Sequence, residues 1–185
     1  TANRLAGVAT AIAPDVYVKT KKTNDDLCRF YAMRMRQKRQ KRCNLIKINF
    51  VCLGNICRSP MAEYLFKDYV KRKGLIDEFE IVSSATSDEE TGNPVYPPAK
   101  RILKSEGIDC SGKRAVKLVK EDGDYYDYII CMDKYNLKNI ERIFGGKNMD
   151  KVHLLMSFCG GGDVADPYYT RDFDKTYDDI IKGID

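Results

Sequence analysis

The chain has no tryptophan, one histidine and no pair of cysteines two residues apart. The histidine, His153, lies in the apolar run Val152-His153-Leu154-Leu155, which reads as a strand, so a catalytic role for it is not expected. Seven cysteines is an odd number, and their spacing suits neither a disulfide framework nor a zinc site. No metal and no cofactor is expected. No apolar run approaches the length of a membrane span. The stretch Leu5-Ala6-Gly7-Val8-Ala9-Thr10-Ala11-Ile12-Ala13 follows a single arginine and has few large apolar residues, which excludes a signal-peptide core. The 185 residues suffice for one domain with a sizeable core. These features describe a small cytoplasmic protein, expected to be a monomer and to require no nucleic acid.

Charge is unevenly placed. Of 32 lysines and arginines, 11 fall in residues 1–43, against 3 of 27 acids, so this segment carries +8 and the remainder −3. Residues 1–43 therefore read as a basic extension, with a helix expected over Asp25–Arg42, and residues 44–185 as the folded domain. A polybasic arm for nucleic acid or an anionic membrane is one reading of the extension. A disordered tail, or sequence that is not natively part of the protein, is the favoured reading, since Thr1 is not an initiator methionine.

What the chain does contain is the string Val51-Cys52-Leu53-Gly54-Asn55-Ile56-Cys57-Arg58-Ser59-Pro60. The apolar run Leu45-Ile46-Lys47-Ile48-Asn49-Phe50-Val51 before it reads as a buried strand. After it, Ser59 is expected to cap a helix and Pro60 to fill its first turn. A loop between a strand end and a helix N-terminus presents free N–H groups and a positive dipole end to an anion. That field also favours a cysteine thiolate. Cys52 is thus expected as a nucleophile and Arg58 as a planar fork for phosphate oxygens. Gly54 is expected to permit positive φ and a close approach to the ligand, Asn55 to tolerate left-handed geometry and tie the loop through its amide, and Ser59 to donate to the Cys52 sulfur. A buried structural cysteine, a surface arginine and an ordinary cap would account for a bare C-x5-R match. The whole string between strand and helix points to a phosphate loop.

At these residues the chain resembles the low-molecular-weight protein tyrosine phosphatases, from about Leu45 onward. A second motif of that family stands downstream at Asp166-Pro167-Tyr168-Tyr169. The resemblance implies that Asp166 is the general acid and base, and that Leu53, Gly54, Asn55, Ile56, Cys57, Ser59, Tyr168 and Tyr169 bind the substrate. It implies a four-stranded parallel sheet in flavodoxin-like order, in a three-layer α/β/α fold with the phosphate loop after the first strand. The implied activity is hydrolysis of phosphotyrosine proteins through a phosphocysteine. Cys57 is expected to protect oxidised Cys52 by forming a disulfide with it. Ser83-Ser84-Ala85 matches the second strand end and Tyr128–Asp133 the third strand and the start of its helix. Asp133 reads as an N-cap that supports the site.

Three departures stand out. Lys113 occupies the place of a histidine that braces the phosphate loop in many relatives. Glu89 and Glu90 stand where some relatives carry tryptophan. The last helix, with Phe173, Tyr177, Ile180, Ile181 and Ile184 at helical spacing, stops short at Asp185. Three alternatives share these features. Protein-arginine phosphatases have the same continuation Ser59-Pro60-Met61-Ala62-Glu63 but typically place Thr where Ile56 stands. Arsenate reductases need a redox cysteine pair, whereas Cys110, Cys131 and Cys159 are widely spaced. A phosphate-binding module without turnover is opposed by intact Cys52, Arg58 and Asp166.

Overall fold

A computed structural model describes residues 45–184. The basic segment 1–43, with its expected helix, lies outside the described residues. Four strands, β1 (Ile46–Cys52), β2 (Phe79–Ala85), β3 (Tyr128–Cys131) and β4 (Val152–Leu154), form one parallel sheet in the order β2-β1-β3-β4. The helices are α1 (Arg58–Arg72), α2 (Pro97–Ser105), α3 (Asp122–Tyr125), α4 (Lys134–Phe144), α5 (Pro167–Thr170) and α6 (Phe173–Ile184).

The central strand β1 is buried on both faces, so its apolar residues form a run rather than an alternation. Ile48, Phe50 and Cys52 join Met61, Leu65, Ala99, Leu103 and Ile180 in the core beneath α1, α2 and α6. Val51 joins Ile129, Cys131, Ile140 and Phe144 on the α4 side. Each fully buried side chain of this size contributes about 1.5–3 kcal/mol. Parallel strands need crossovers, and the helices supply them, which gives the three layers expected from the sequence.

The last strand is shorter than its apolar run. Leu155 opens a 3-10 turn over Leu155–Cys159 instead of extending β4. The turn packs closely on α6: a Cβ on Gly183 would meet Leu155 Cγ at 2.6 Å.

From β1 the chain moves to one side to make β2, and later to the other side to make β3. The carboxyl ends of β1 and β3 therefore splay apart at a topological switch point, where open α/β sheets hold their ligands. Cys52 ends β1 there.

Candidate active site

The loop 52–58 is held from below by side chains rather than by regular pairing. Asn55 has a left-handed backbone, φ 56°, which a non-glycine residue adopts only under constraint. Its amide supplies the constraint. Asn55 Nδ2 donates to Ser59 Oγ and to Ser83 Oγ, both at 2.8 Å, and Asn55 Oδ1 accepts from Val116 N–H at 3.1 Å. The bend aims the Asn55 N–H at Cys52 Sγ, 3.2 Å away. Ser59 Oγ lies 3.0 Å from the same sulfur. A thiolate at Cys52 thus receives two donors from its own loop, while the side chain is only 3% exposed.

Two sequence expectations are corrected here. Gly54 does not take positive φ; the left-handed residue is Asn55. Gly54 stands at a close approach instead: a Cβ would stand 3.1 Å from Glu90 Cγ, a tight contact that the glutamate side chain would have to yield to. Ser59 does not cap α1. The helix starts at Arg58, after Cys57, with no side-chain cap, and the Ser59 hydroxyl turns inward to the sulfur.

Arg58 is 3% exposed and gives one arm to each of two carboxylates: Nη1 to Asp133 Oδ2 and Nη2 to Asp166 Oδ2, both at 2.5 Å. Burial alone would lower its pKa, but the negative charges on Cys52, Asp166 and Asp133 outweigh that and raise it. Asp133 also caps α4, accepting from Asn136 N–H at 2.6 Å. Asp166 caps α5, accepting from Tyr168 N–H at 3.0 Å. Cys52, Asp133 and Asp166 follow β1, β3 and β4, so the sheet brings to one point residues far apart in the chain.

The remaining expected site residues are distributed unevenly. Leu53, Ile56 and Cys57 are half-buried in the loop. The Cys57 thiol is pushed up to about 12, first by burial and then by the negative charges of Cys52 and Asp166. Tyr168 and Tyr169 stand in solvent, 68% and 77% exposed, packed edge to face at 5.1 Å. They form an open rim rather than a buried wall, because α5 is a single turn whose only buried residue is Pro167. Of the two rim acids, Glu90 is half-buried against the loop and accepts from Asn93 Nδ2 at 2.6 Å, whereas Glu89 is exposed.

Lys113 keeps a bracing contact. Its ammonium, 10% exposed, donates to Ser83 C=O at 2.8 Å and pairs with Glu63 Oε2 at 3.0 Å. Glu63 Oε2 also accepts from Ser83 Oγ at 2.5 Å, and that hydroxyl accepts from Asn55. Lysine is therefore tied to the loop through Glu63 and Ser83, two residues the sequence reading assigned no role. Their signal was a carboxylate on the core face of α1, four residues beyond Ser59, and hydroxyls at a buried strand end. Lys113→Met leaves Glu63 with Lys67 and Ser83 as partners. It is expected to destabilise the fold by about 3 kcal/mol, the low end for breaking a buried pair. Urea unfolding checks this, and a loss under ~0.5 kcal/mol, as for an exposed pair, would contradict it.

Residues 47–185 match the family model for low-molecular-weight phosphotyrosine protein phosphatase. The chain is 38% identical over 142 residues to low-molecular-weight protein-tyrosine-phosphatase YfkJ of Bacillus subtilis, covering 75% of this chain and 91% of that one. The crystal structure of YfkJ superposes with a TM-score of 0.73, covering 76% of this chain and 90% of that chain. The pig low-molecular-weight phosphotyrosine protein phosphatase is 37% identical over 141 residues, 72% of this chain and 87% of its own. The structure of a drosophila arginine phosphatase is similar at 27% identity and a TM-score of 0.69, covering 75% of this chain and 92% of its own.

Proposed function

This chain belongs to the low-molecular-weight phosphotyrosine protein phosphatase family, and from that premise we propose how its own residues hydrolyse phosphotyrosine. The protein is a cysteine-dependent protein phosphatase. Cys52 thiolate attacks phosphorus, and the bond to the tyrosyl oxygen breaks. Protonated Asp166 gives its proton to that oxygen, because a phenolate leaves poorly without one. The phosphocysteine is then attacked by water, whose proton returns to the Asp166 carboxylate. The S–P bond breaks and inorganic phosphate departs. Loop N–H groups and Arg58 hold the equatorial oxygens throughout.

The observation that carries this assignment is the double contact of Arg58. Asp133 fixes one arm of the guanidinium. The other arm, on Asp166 Oδ2, exchanges that oxygen for a phosphate oxygen when substrate enters. The released carboxyl is then free to take up its proton beside the leaving group. Substrates are phosphotyrosine proteins, and the enzyme acts as a monomer, since one chain supplies every group of the site. It acts in the cytoplasm, a reducing compartment in which a cysteine nucleophile stays available. No helix among the described residues is long and apolar enough to cross a membrane.

Phosphoarginine hydrolysis is the second reading, favoured by the likeness to the drosophila arginine phosphatase. Ile56 supports the tyrosine reading. It is half-buried in the loop, its carbonyl accepts from Tyr96 N–H at 2.8 Å, and its side chain offers no hydroxyl to a guanidinium. The test is a side-by-side assay of phosphotyrosine, phosphoarginine and phosphoserine peptides. The wild type is expected to prefer phosphotyrosine and nearly to ignore phosphoserine, whose short side chain leaves phosphorus out of reach of the recessed sulfur. Ile56→Thr is expected to shift preference toward phosphoarginine. Equal wild-type rates on the phosphotyrosine and phosphoarginine peptides would remove the tyrosine assignment.

Cys57 captures oxidised Cys52 in this reading. Peroxide converts the Cys52 thiolate to a sulfenic acid. Cys57 sulfur attacks it, water leaves, and a disulfide protects the nucleophile until thiols reduce it. Oxidation removes the Cys52 charge that helps hold the Cys57 thiol up. Burial remains, so the thiol stays above its ordinary range and capture is expected to quicken as pH rises. Cys57→Ser should recover much less activity than wild type after peroxide followed by thiol. Full recovery of that variant would exclude the role.

A further inference from the structure

Asp166 faces a mechanical difficulty. In its contact with Arg58 it is held by a short ion pair. In the reacting complex that arm belongs to phosphate, and the carboxyl must still be aimed at the leaving oxygen. Its remaining side-chain contact is the cap bond from Tyr168 N–H, within an exposed single-turn helix. Something else must hold the segment.

The preceding residue is gripped on both sides by α6. Ala165 N–H donates to Asp179 Oδ2 at 3.1 Å, and Ala165 C=O accepts from Thr176 Oγ1 at 2.9 Å. These two bonds fix the peptide planes before and after Ala165, and the second plane contains the Asp166 nitrogen. One residue earlier, Val164 N–H donates to Met132 C=O at 2.8 Å, anchoring the segment beyond the end of β3. Thr176 is fully buried and Asp179 is 6% exposed. They stand three apart on one helix face, where apolar residues would otherwise serve the core. Both are poor interior helix formers, and burying a carboxylate without partners is costly. Asp179 has partners: its other oxygen pairs with Lys175. The helix thus spends two core-facing positions on one backbone residue of a loop.

We propose that Thr176 and Asp179 are positioning residues for Asp166, a two-point clamp through which α6 keeps the acid over the leaving group after Arg58 has let it go. The inference rests on Asp166 being the general acid. A clamp of this kind does nothing for phosphate binding or for attack by Cys52. In the first step, phosphoryl transfer to Cys52, it matters only when the leaving group needs its proton, and this separates it from a stabilising contact.

The test is the dependence of kcat/KM, which ends at phosphoryl transfer to Cys52 and excludes hydrolysis of the phosphocysteine, on leaving group, measured over aryl phosphates from activated nitrophenyl esters to unsubstituted phenyl phosphate. Wild type is expected to vary little across the series. Thr176→Val and Asp179→Leu are each expected to lose about tenfold on phenyl phosphate, since small misplacement of a catalytic group has large effects. On the most activated ester they should stay within about twofold of wild type. Thr176→Ser, which keeps the hydroxyl, should restore the wild-type profile. Ile180→Val, fully buried in the same helix but outside the clamp, should lower the melting temperature without changing the profile. Losses that are uniform across the series in both clamp variants, or an Ile180→Val profile that tilts as much as theirs, would overturn the clamp while leaving the acid in place. If Asp166→Asn itself loses activity uniformly, acid and clamp fall together.

Discussion

Cys52→Ser is expected to lower turnover of phosphotyrosine peptides by about 10⁴-fold or more, the scale seen when a nucleophile is removed from a covalent mechanism. The geometry says why the loss is confined to chemistry. Asn55 N–H and the Ser59 hydroxyl point at the position of the sulfur, and a serine oxygen accepts from the same donors. The loop is held by Asn55, Ser83 and Ser59, none of which depends on the thiol. Phosphate affinity, measured by calorimetry, should therefore stay within a few-fold of wild type. A hydroxyl is not ionised by this loop to any useful extent, so attack fails while binding persists. Residual turnover within tenfold of wild type would remove Cys52 from the nucleophile position, and loss of phosphate binding would show that the thiolate shapes the loop.

Asp166→Asn should lower kcat for phenyl phosphate by roughly 10²–10⁴-fold, the usual contribution of general acid–base catalysis. The loss on an activated nitrophenyl ester should be far smaller in the phosphorylation step, because that leaving group departs unprotonated. A second effect has the opposite sign. Asp166 competes with phosphate for Nη2 of Arg58, and asparagine is a neutral, weaker competitor. Inorganic phosphate is therefore expected to bind more tightly to the variant, as read from its inhibition constant. Weaker binding would mean that Asp166 helps to hold phosphate, and equal losses for both esters would take it out of the acid role.

The two carboxylates on Arg58 divide the work by burial and connection. Asp133 caps an eleven-residue helix whose packed face includes Ile140 and Phe144, so its arm of the guanidinium is a fixed strut. Asp166 sits on a one-turn helix at the surface and is the arm that can exchange. Rigidity on one side and release on the other follow from the lengths of the two helices.

The phosphate loop was legible in the sequence because its information is local. Strand, left-handed Asn55, arginine and helix start occupy consecutive positions, and backbone chemistry ties each residue type to its place. The parallel sheet was legible for a similar reason, since apolar runs alternate with helical spacing. Where local reading failed, tertiary contact had taken over. Ser59 has the composition of a cap, yet its hydroxyl serves a sulfur seven residues away. Gly54 looked like a conformational glycine, yet what crowds it is Glu90, brought across by the segment after β2. Tyr168 and Tyr169 matched a motif that gives no information on solvent exposure.

The sequence by itself determined the order of the candidate groups: Cys52 and Arg58 first, Asp166 far downstream. Only the tertiary structure decided what holds them. Lys113 reaches the loop through Glu63 and Ser83, and α6 reaches Asp166 through the backbone of Ala165. These are buried polar contacts between distant segments. Their geometry depends on how helices pack on the sheet, and no residue type in the chain encodes that packing by its neighbours alone.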